Sequence, residues 1–365
     1  MSVDKLLLLF RTELKALLAV NHSDRKWDMP LIAALASGIP LLIGVYFGRF
    51  DYGLIATLGG LVFLYLPPTP VWHKMMIMMA VSFGMILCFT AGLLSQFLIV
   101  FSPLVIGVMA LLVTFVTRYY SIGPPGSIFL VMVGAMPIYM PIGIEALPTY
   151  VGLLTLGCVL SCVLAFLYSM ATIHVAKRPP KNTSPLLVSG LALDELVVDA
   201  LIVGVFTGFS LWVAQSLGML RPYWVPISCL AILQGMNFQA IWHKQVHRIV
   251  GTMLGLVLAW CLLKISLQPW QIAIMMMALT FTIETVVVRH YTTAAIFFTP
   301  LTIFLAEAGS KGLIPVNSLI AARFWDTVLG SIIGCIAGLC LFHQPLRAWL
   351  KTLLHRLQWA RQKGA

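Results

Sequence analysis

Very few charged side chains of this chain lie inside apolar segments, and those few are the first candidates for chemistry. Glu284 is flanked by threonines that offer hydroxyl partners. Arg323 and Asp326 are spaced i, i+3, so they share one helix face and can form an ion pair. An ionised group at the centre of a bilayer costs about 2.5–3.5 kcal/mol on insertion scales. We therefore predict that Asp326 or Glu284 handles protons, the alternatives being a structural ion pair and a static, hydrogen-bonded carboxylate.

Four landmarks recur along the chain at nearly the same offset. Trp72-His73-Lys74 reappears 170 positions later as Trp242-His243-Lys244. The other pairs, each 171 apart, are Asp28 with Asp199, Tyr52 with Tyr223, and Arg118-Tyr119-Tyr120 with Arg289-His290-Tyr291. Four ordered matches predict a duplicated membrane domain, a plan by which many transporters build a central site. Each aspartate is expected to cap a helix or to pair with a nearby Lys or Arg.

The duplicated Trp-His-Lys motif has two interpretations. Tryptophan anchors helices at the membrane interface and lysine favours the cytoplasmic side, so the motif can be purely topological. The functional hypothesis is gating, or first capture of an anion, by His73, Lys74, His243 and Lys244. His243 and His247 have the i, i+4 spacing of a helical metal pair, but we find no third ligand and predict no metal site.

Composition identifies the class of protein that positions these residues. Of 365 residues, 60% are hydrophobic and only 10% are charged, against about 25% in ordinary domains. A spanning helix needs roughly 20 apolar residues. The predicted segments are 29–48, 52–68, 75–94, 97–117, 126–144, 150–172, 195–216, 223–238, 247–266, 270–288, 291–307 and 323–342. The fold class is therefore an all-α polytopic membrane protein with about twelve transmembrane helices.

The segments group into two halves of six. A polar, proline-rich stretch, Lys177 to Pro185, marks a short linker between them. Because six is even, both halves enter the membrane in the same direction, which predicts parallel repeats. The predicted organisation is an interfacial amphipathic segment (1–27), a first repeat (28–173), a linker (174–192), a second repeat (193–342) and a basic amphipathic tail (343–365).

The net charge of +11 reports orientation rather than nucleic-acid binding. With both termini cytoplasmic, most of the 23 Lys and Arg residues fall in cytoplasmic segments, as the positive-inside rule requires. We predict contact with anionic lipid and no nucleic-acid partner. Leucines alternate with charged residues over 4–20 and 346–359, which is typical of helices lying at the membrane surface.

Glycine and proline interrupt the second span of each half. The first copy ends at Pro67-Pro68, and the second begins Pro222-Tyr223-Trp224 and ends near Gly235. Paired short spans point to a transport site, although glycine can also serve close helix packing. The fifth span, which starts after Gly123-Pro124-Pro125-Gly126, is also predicted to be broken or re-entrant.

Motifs for catalysis and cofactor binding are missing from the sequence. We find no phosphate-binding loop, no G-x-S-x-G and no H-E-x-x-H. All seven cysteines lie in apolar segments, and we predict that they pack as small buried hydrophobic residues. We predict neither an enzyme nor a bound cofactor.

Two segments of the second half carry a family resemblance. Pro222-Tyr223-Trp224, followed by Arg248-Ile249-Val250-Gly251-Thr252, resembles the fusaric acid resistance (FUSC) family, and so does Arg323-Phe324-Trp325-Asp326-Thr327. The resemblance covers roughly 195–340 and is weaker in the first half. It implies proton-driven export of aromatic carboxylic acids across a bacterial inner membrane, beside a periplasmic adaptor protein in related exporters. Plant relatives are malate-type anion channels. Many members have a large cytoplasmic region, and here only the short linker stands in its place, so functions of that region are not carried over to this chain.

Together these features predict a secondary exporter of aromatic organic anions in the bacterial inner membrane. Arg248 and Arg323 would attract the carboxylate, and Tyr223, Trp224 and Tyr52 would contact the ring. Rival hypotheses are a passive anion channel, a membrane enzyme acting on lipid or isoprenoid substrates, and a scaffold protein. The sequence leaves open whether the chain forms a homo-oligomer.

Overall fold

The described part of the chain is mostly helical, and it contains no strand. The computed structural model describes residues 26–140, 142–177, 190, 192–234, 238–307 and 315–363. Their α-helices, in chain order, are α1 (Asp28–Tyr46), α2 (Phe50–Gly60), α3 (Val71–Ser95), α4 (Ser102–Tyr119), α5 (Ile128–Ala135), α6 (Leu147–Met170), α7 (Leu193–Ser216), α8 (Trp224–Ile232), α9 (Phe238–Leu263), α10 (Pro269–Val286), α11 (Tyr291–Glu307), α12 (Val316–Phe342) and α13 (Gln344–Lys363). Each of the helices α1 to α12 overlaps one of the twelve predicted segments, although their bounds differ, and α13 contains the predicted amphipathic segment 346–359. The all-α class is confirmed, whereas segment 4–20 and most of the linker lie outside the described residues.

Seven helical segments of the described chain are long and apolar enough to cross a membrane. They are Asp28–Tyr46, Val71–Tyr119, Ile144–Val175, Leu193–Ser216, Val246–Leu263, Pro269–Val286 and Val316–Phe342. The second of these contains both α3 and α4, joined by a 3-10 segment. Shorter apolar helices are Phe50–Tyr65, Ile128–Tyr139 and Tyr291–Ala306, and α8 has 9 residues. The chain is therefore a multi-pass membrane protein whose second predicted span in each half is indeed short.

Local sequence explains where the short helices end. Helix α2 tightens into a 3-10 turn, Leu61–Tyr65, before Pro67 and Pro68. Helix α5 passes into the 3-10 turn Met136–Tyr139, which contains Pro137. Proline has no N–H to donate, so it cannot continue the helical hydrogen-bond ladder. The break predicted in the fifth span is thus present.

Contacts between the helices divide the chain into two units. Unit 1 comprises Met1–Phe63, Gly152–Tyr168 and Trp242–Thr327, and unit 2 comprises Leu64–Val151, Ser169–Ile241 and Val328–Ala365. Unit 1 thus holds α1, α2, α10 and α11, most of α6 and α9, and the start of α12. Unit 2 holds α3, α4, α5, α7, α8 and α13, together with the rest of α12.

In unit 1, α1 packs against both α2 and α10. The apolar core between these three helices and α11 contains Leu41, Leu54, Ala273, Met276 and Phe304. Helices α2 and α6 approach so closely that a Cβ built on Gly157 would lie 1.9 Å from the carbonyl oxygen of Ala56. The Ser161 hydroxyl donates to the Gly59 carbonyl across the same contact, at 3.0 Å. Small residues therefore set this helix–helix distance.

In unit 2, α7 packs against α4 and α8. Gly107 of α4 faces Gly204 and Gly208 of α7, and a Cβ on Gly204 would lie 2.7 Å from the Gly107 carbonyl oxygen. Helix α12 meets α8 through Gly330, whose Cβ would lie 2.4 Å from the Val225 carbonyl oxygen. Close packing through glycine is the pattern expected of helices that associate in lipid.

Helix α13 is attached to α7 by charge as well as by apolar contacts. The guanidinium groups of Arg118, on α4, and Arg347, on α13, both donate to the Asp199 carboxylate on α7. The Lys351 ammonium lies 2.9 Å from a carboxylate oxygen of Glu195, and this hydrogen bond raises the pKa of Lys351. Asp199, predicted to lie at the start of a span, is nearly two turns inside α7, and of its two predicted roles the structure shows ion pairing.

Candidate functional site

Three aromatic rings of unit 2 lie together at the C-terminal end of the short helix α5 and the N-terminal end of the short helix α8. Tyr223 and Trp224, at the start of α8, have ring centroids 5.2 Å apart. The ring of Tyr139, in the turn that follows α5, lies 5.7 Å from that of Tyr223. Tyr223 and Trp224 are 4% and 3% exposed, so they are packed within the protein in this conformation. We call these three residues the aromatic cluster.

A glutamine side chain orders the aromatic cluster. The Gln215 amide, in the last turn of α7, donates to the Tyr139 hydroxyl at 2.7 Å and lies 2.8 Å from the Ser102 hydroxyl oxygen. Sequence reasoning missed Tyr139, Ser102 and Gln215. The available signals were a glutamine in an apolar span and a tyrosine beside the proline break.

Polar side chains also hold the opposite ends of α5 and α8. The Gln234 amide, just after α8, donates to the Pro125 carbonyl at 2.9 Å. The Tyr65 hydroxyl donates to the Gly126 carbonyl at 2.6 Å. Backbone groups freed at interrupted helices need such partners wherever water does not reach them. Both ends of this helix pair are therefore fixed by side chains from other elements of unit 2.

Unit 1 contains the buried ionisable residues proposed from the sequence. Asp326 is 0% and Arg323 is 7% exposed, both on α12. The Arg323 guanidinium donates to the Thr302 hydroxyl of α11 at 3.3 Å. A guanidinium group has five N–H donors in a planar arrangement that matches a carboxylate. The predicted Arg323–Asp326 ion pair stays a prediction.

Glu284 lies near the C-terminal end of α10. It is buried, at 6% exposure, but it lies two residues before the end of α10. Asp326 lies ten residues inside the start of the much longer α12 and is further from either helix end. Helix α10 stops at Val286, where the chain turns towards α11.

The remaining predicted contacts of unit 1 are spread along its helices. Arg248 lies on α9, one position after His247, whose ring nitrogen Nδ1 is 2.8 Å from the Thr292 hydroxyl on α11. Tyr52, near the start of α2, lies under the Arg49 guanidinium at 3.7 Å. The neighbouring Asp51 raises the pKa of Arg49 through a side-chain hydrogen bond. Tyr52 is therefore already engaged by a cation.

The Trp-His-Lys motif lies inside α3 rather than before it. Helix α3 begins at Val71, so His73 and Lys74 belong to its first turn. His73 is buried, and its Nδ1 lies 2.9 Å from the Thr69 hydroxyl. His243 and Lys244 lie on α9, and their side chains fall outside the described residues. No cluster of three or more metal-ligating side chains occurs among the residues that the structure describes.

The predicted binding residues fall into two sets. Tyr223, Trp224, His73 and Lys74 belong to unit 2. The other candidates belong to unit 1: Tyr52, His243, Lys244, Arg248, Glu284, Arg323 and Asp326. Within unit 2 the structure joins Tyr223 and Trp224 in one cluster, and within unit 1 it connects Arg323 to Thr302.

Comparison with known proteins supports the resemblance found in the second half. The profile of the family described as fusaric acid resistance protein-like matches residues 209–337. A curated relative, the uncharacterized membrane protein YvaC of Bacillus subtilis (strain 168), is 29% identical over 131 residues. That match covers 36% of this chain and 21% of the relative, so the chain corresponds to about a fifth of the relative's length. No solved structure matches the chain. The protein is therefore a multi-pass membrane protein whose residues 209–337 match the fusaric acid resistance protein-like family.

Proposed function

We propose that this protein is a secondary exporter of aromatic carboxylic acids, driven by the proton gradient across a bacterial inner membrane. The observation that carries the proposal is the aromatic cluster at the ends of α5 and α8 in unit 2. Aromatic side chains offer stacking surfaces, and Gln215 places an amide beside them. Helix ends of this kind, sheltered inside a membrane protein, are where transporters bind their substrates.

In this proposal Tyr223 and Trp224 contact the aromatic ring of the substrate. Both are buried here, so the cluster must open before substrate reaches them. Opening and closing of a packed site is the step that alternating access requires. Gln215 acts as the positioning residue, because it holds Tyr139 through a hydrogen bond.

The charged residues of unit 1 have separate roles in the proposal. Arg323 and Arg248 attract the carboxylate, and Asp326 or Glu284 takes up and releases the coupled proton. Burial supports these roles, since both carboxylates are at most 6% exposed and a charge removed from water must be neutralised or paired. The Trp-His-Lys motifs bind the anion first, at the cytoplasmic side.

We also propose that the two halves are parallel repeats that exchange helices. In unit 1, α1 packs on α2 and α10, α2 on α6, and α9 on α11. In unit 2, α7 packs on α8 and α4, α8 on α12, and α3 on α5. If six is added to the number of every helix in the unit 1 pairs, counting on from α12 to α1, the unit 2 pairs result. Each unit would then combine three helices of one half with three of the other.

The test is efflux of labelled 4-hydroxybenzoate from cells, with and without a protonophore. We expect efflux that requires the protein and stops when the gradient collapses. Trp224→Leu should lower the apparent affinity for the substrate about fivefold, because losing roughly 1 kcal/mol of aromatic contact raises the dissociation constant by that factor. The matched control is Trp212→Leu, since Trp212 is 55% exposed on α7 and lies outside the cluster.

Three outcomes contradict parts of the proposal. Protein-dependent efflux that ignores the protonophore would indicate a passive channel. Equal effects of Trp224→Leu and Trp212→Leu would remove the aromatic cluster from the substrate site. Unchanged rate and affinity after Arg248→Ala and Arg323→Ala would refute the role of those arginines.

A further inference from the structure

Helices α4 and α7 form the most extensive helix pair among the residues that the structure describes. At one end of this pair, the guanidinium groups of Arg118 and Arg347 both donate to the Asp199 carboxylate. We call these three residues the ionic cluster. The proposed function assigns no role to them, although Asp199 lies inside a membrane-spanning helix.

Neutral side chains join the same two helices at their opposite end. The Gln215 amide of α7 lies 2.8 Å from the hydroxyl oxygen of Ser102, the first residue of α4. It also donates to the Tyr139 hydroxyl at 2.7 Å. We call these three residues the amide cluster. Because Tyr139 belongs to the aromatic cluster as well, the amide cluster borders the proposed substrate site.

The two clusters are separated by most of a membrane thickness. Ser102 precedes Arg118 on α4 by 16 positions, and Asp199 precedes Gln215 on α7 by 16 positions. At a rise of 1.5 Å per residue, both separations are about 24 Å. The hydrocarbon core of a bilayer is about 30 Å thick. The clusters therefore hold the antiparallel helices together near the two ends of their spans.

Between the two clusters, α4 and α7 touch backbone to backbone. A Cβ on Gly208 would lie 2.6 Å from the Pro103 carbonyl oxygen, and a Cβ on Gly204 would lie 2.7 Å from the Gly107 carbonyl oxygen. The helices cannot approach further here, because no side chain separates them. A tilt of one helix about this contact therefore widens the gap at one end only.

We infer that the amide cluster and the ionic cluster are two gates of unit 2, which open one at a time as α4 and α7 tilt about their glycine contact. Both gates are closed in this structure, and the burial of Tyr223 and Trp224 agrees with an occluded state. Access to a central site from one membrane side at a time is what a transporter requires. The inference deepens the proposed function, on which it rests for transport itself.

The two gates differ in strength. Charge-assisted hydrogen bonds are roughly twice as strong as neutral ones, so the ionic cluster holds its end of the pair more firmly. Helix α13 adds to this difference, because Arg347 lies in its first turn and Lys351, one turn later, lies 2.9 Å from Glu195 of α7. Opening the ionic cluster therefore also draws α13 away from α7, and we expect the amide cluster to open more readily.

Alkylation of reporter cysteines by a water-soluble maleimide, on the purified full-length protein in nanodiscs, tests the inference directly. Ile106→Cys reports on the amide cluster and Thr114→Cys on the ionic cluster, in a background in which the seven native cysteines are replaced by alanine. Both positions are buried on α4, at 0% and 3% exposure. Each lies four residues from a member of its cluster, Ser102 or Arg118, and so on the same helix face.

Each gate variant should expose its own reporter. Gln215→Leu should accelerate alkylation at Ile106→Cys about tenfold, as the loss of one or two neutral hydrogen bonds predicts, and should leave Thr114→Cys unchanged. Asp199→Asn should accelerate alkylation at Thr114→Cys and leave Ile106→Cys unchanged. Equal acceleration of both reporters by either variant would indicate general loosening and would overturn the inference.

Neighbouring residues of α7 supply matched controls. Ser216→Ala changes the residue after Gln215, whose hydroxyl donates to the carbonyl of Trp212 within its own helix. Asp194→Asn changes a carboxylate that lies 3.5 Å from the Lys351 ammonium of α13 and outside the ionic cluster. Neither control should accelerate either reporter.

A double variant distinguishes two coupled gates from independent fraying of the helix ends. Adding Asp199→Asn to Gln215→Leu should slow alkylation at Ile106→Cys, because opening at one end excludes opening at the other. Independent fraying would leave that rate unchanged. Ser102→Ala and Arg347→Gln alter the same two gates more mildly, and they replace the first two variants wherever those fold poorly.

The results separate this inference from the proposed function, since alkylation requires no substrate. Mutually exclusive opening of the two gates, without protein-dependent efflux of hydroxybenzoate, would support the gates and refute the exporter. Efflux, together with an alkylation rate at Ile106→Cys that the double variant leaves unchanged, would refute the gates alone.

Discussion

Replacing Asp199 should destabilise the protein far more than replacing an exposed aspartate. The Asp199 side chain is 12% exposed and accepts hydrogen bonds from two guanidinium groups, those of Arg118 and Arg347. A hydrogen bond to a charged group contributes about 1.5–3 kcal/mol, and breaking a buried ion pair costs about 3–5 kcal/mol. Partial exposure of the arginines, 28% and 16%, places the expected cost of Asp199→Ala near the lower limit, at about 3 kcal/mol.

An exposed ion pair of the same chemistry supplies the control. Arg49 and Asp51 are 3.5 Å apart, with side chains 54% and 47% exposed. Such surface pairs contribute about 0–1 kcal/mol. Asp51→Ala should therefore change the free energy of unfolding by less than about 1 kcal/mol.

Thermal unfolding of the purified protein in detergent, at low and at high salt, measures the difference. For 365 residues, a loss of about 3 kcal/mol corresponds to a decrease in Tm of roughly 4 °C. Because Asp199 is largely buried, its effect should persist at high salt, whereas screening should remove that of Asp51. Arg347→Ala should add little in the Asp199→Ala background, since the two share one interaction. Equal decreases in Tm for Asp199→Ala and Asp51→Ala, or a decrease that high salt abolishes, would refute the reasoning.

Three other predictions concern separate features of the molecule. Lys351 has a raised pKa in the folded state, so it stabilises the fold fully below its unfolded pKa of about 10.4, and this stabilisation is lost as the pH rises through the folded pKa. The difference in Tm between wild type and Lys351→Met should accordingly shrink in alkaline solution. A difference that persists there would contradict the prediction. Gly157→Ala should lower the free energy of unfolding by about 1–3 kcal/mol, because its Cβ would overlap a backbone carbonyl. Gly152→Ala, on the same helix, meets open space and should be neutral or slightly stabilising. A larger loss of stability for Gly152→Ala than for Gly157→Ala in thermal unfolding would show that the α2–α6 contact is misjudged. Gln215→Leu should lower the free energy of unfolding by about 1–2 kcal/mol and loosen Tyr139, because the hydrogen bond between the two side chains is lost. Efflux and Tm, measured on the same variant, test both effects. Wild-type values of efflux and Tm would exclude the positioning role of Gln215.

The candidate site was only partly predictable. Pro222-Tyr223-Trp224 was recognisable because proline and a pair of aromatic residues interrupt an apolar run. Tyr139 and Gln215 were not, because their importance comes from each other, and they lie 76 positions apart in the sequence.

The sequence by itself determined that this is an all-helical, multi-pass membrane protein with short second spans. Helix formation in lipid is a local matter, since every backbone group must be satisfied within its own segment, and runs of apolar residues with proline breaks mark those segments. Only the tertiary structure decided which helices share a unit and which charges meet. Asp199 finds its partners 81 and 148 positions away. In helices that are apolar on every side, hydropathy does not distinguish a packed face from a lipid-facing one, and the contacts depend on small residues and on the shapes of the facing surfaces.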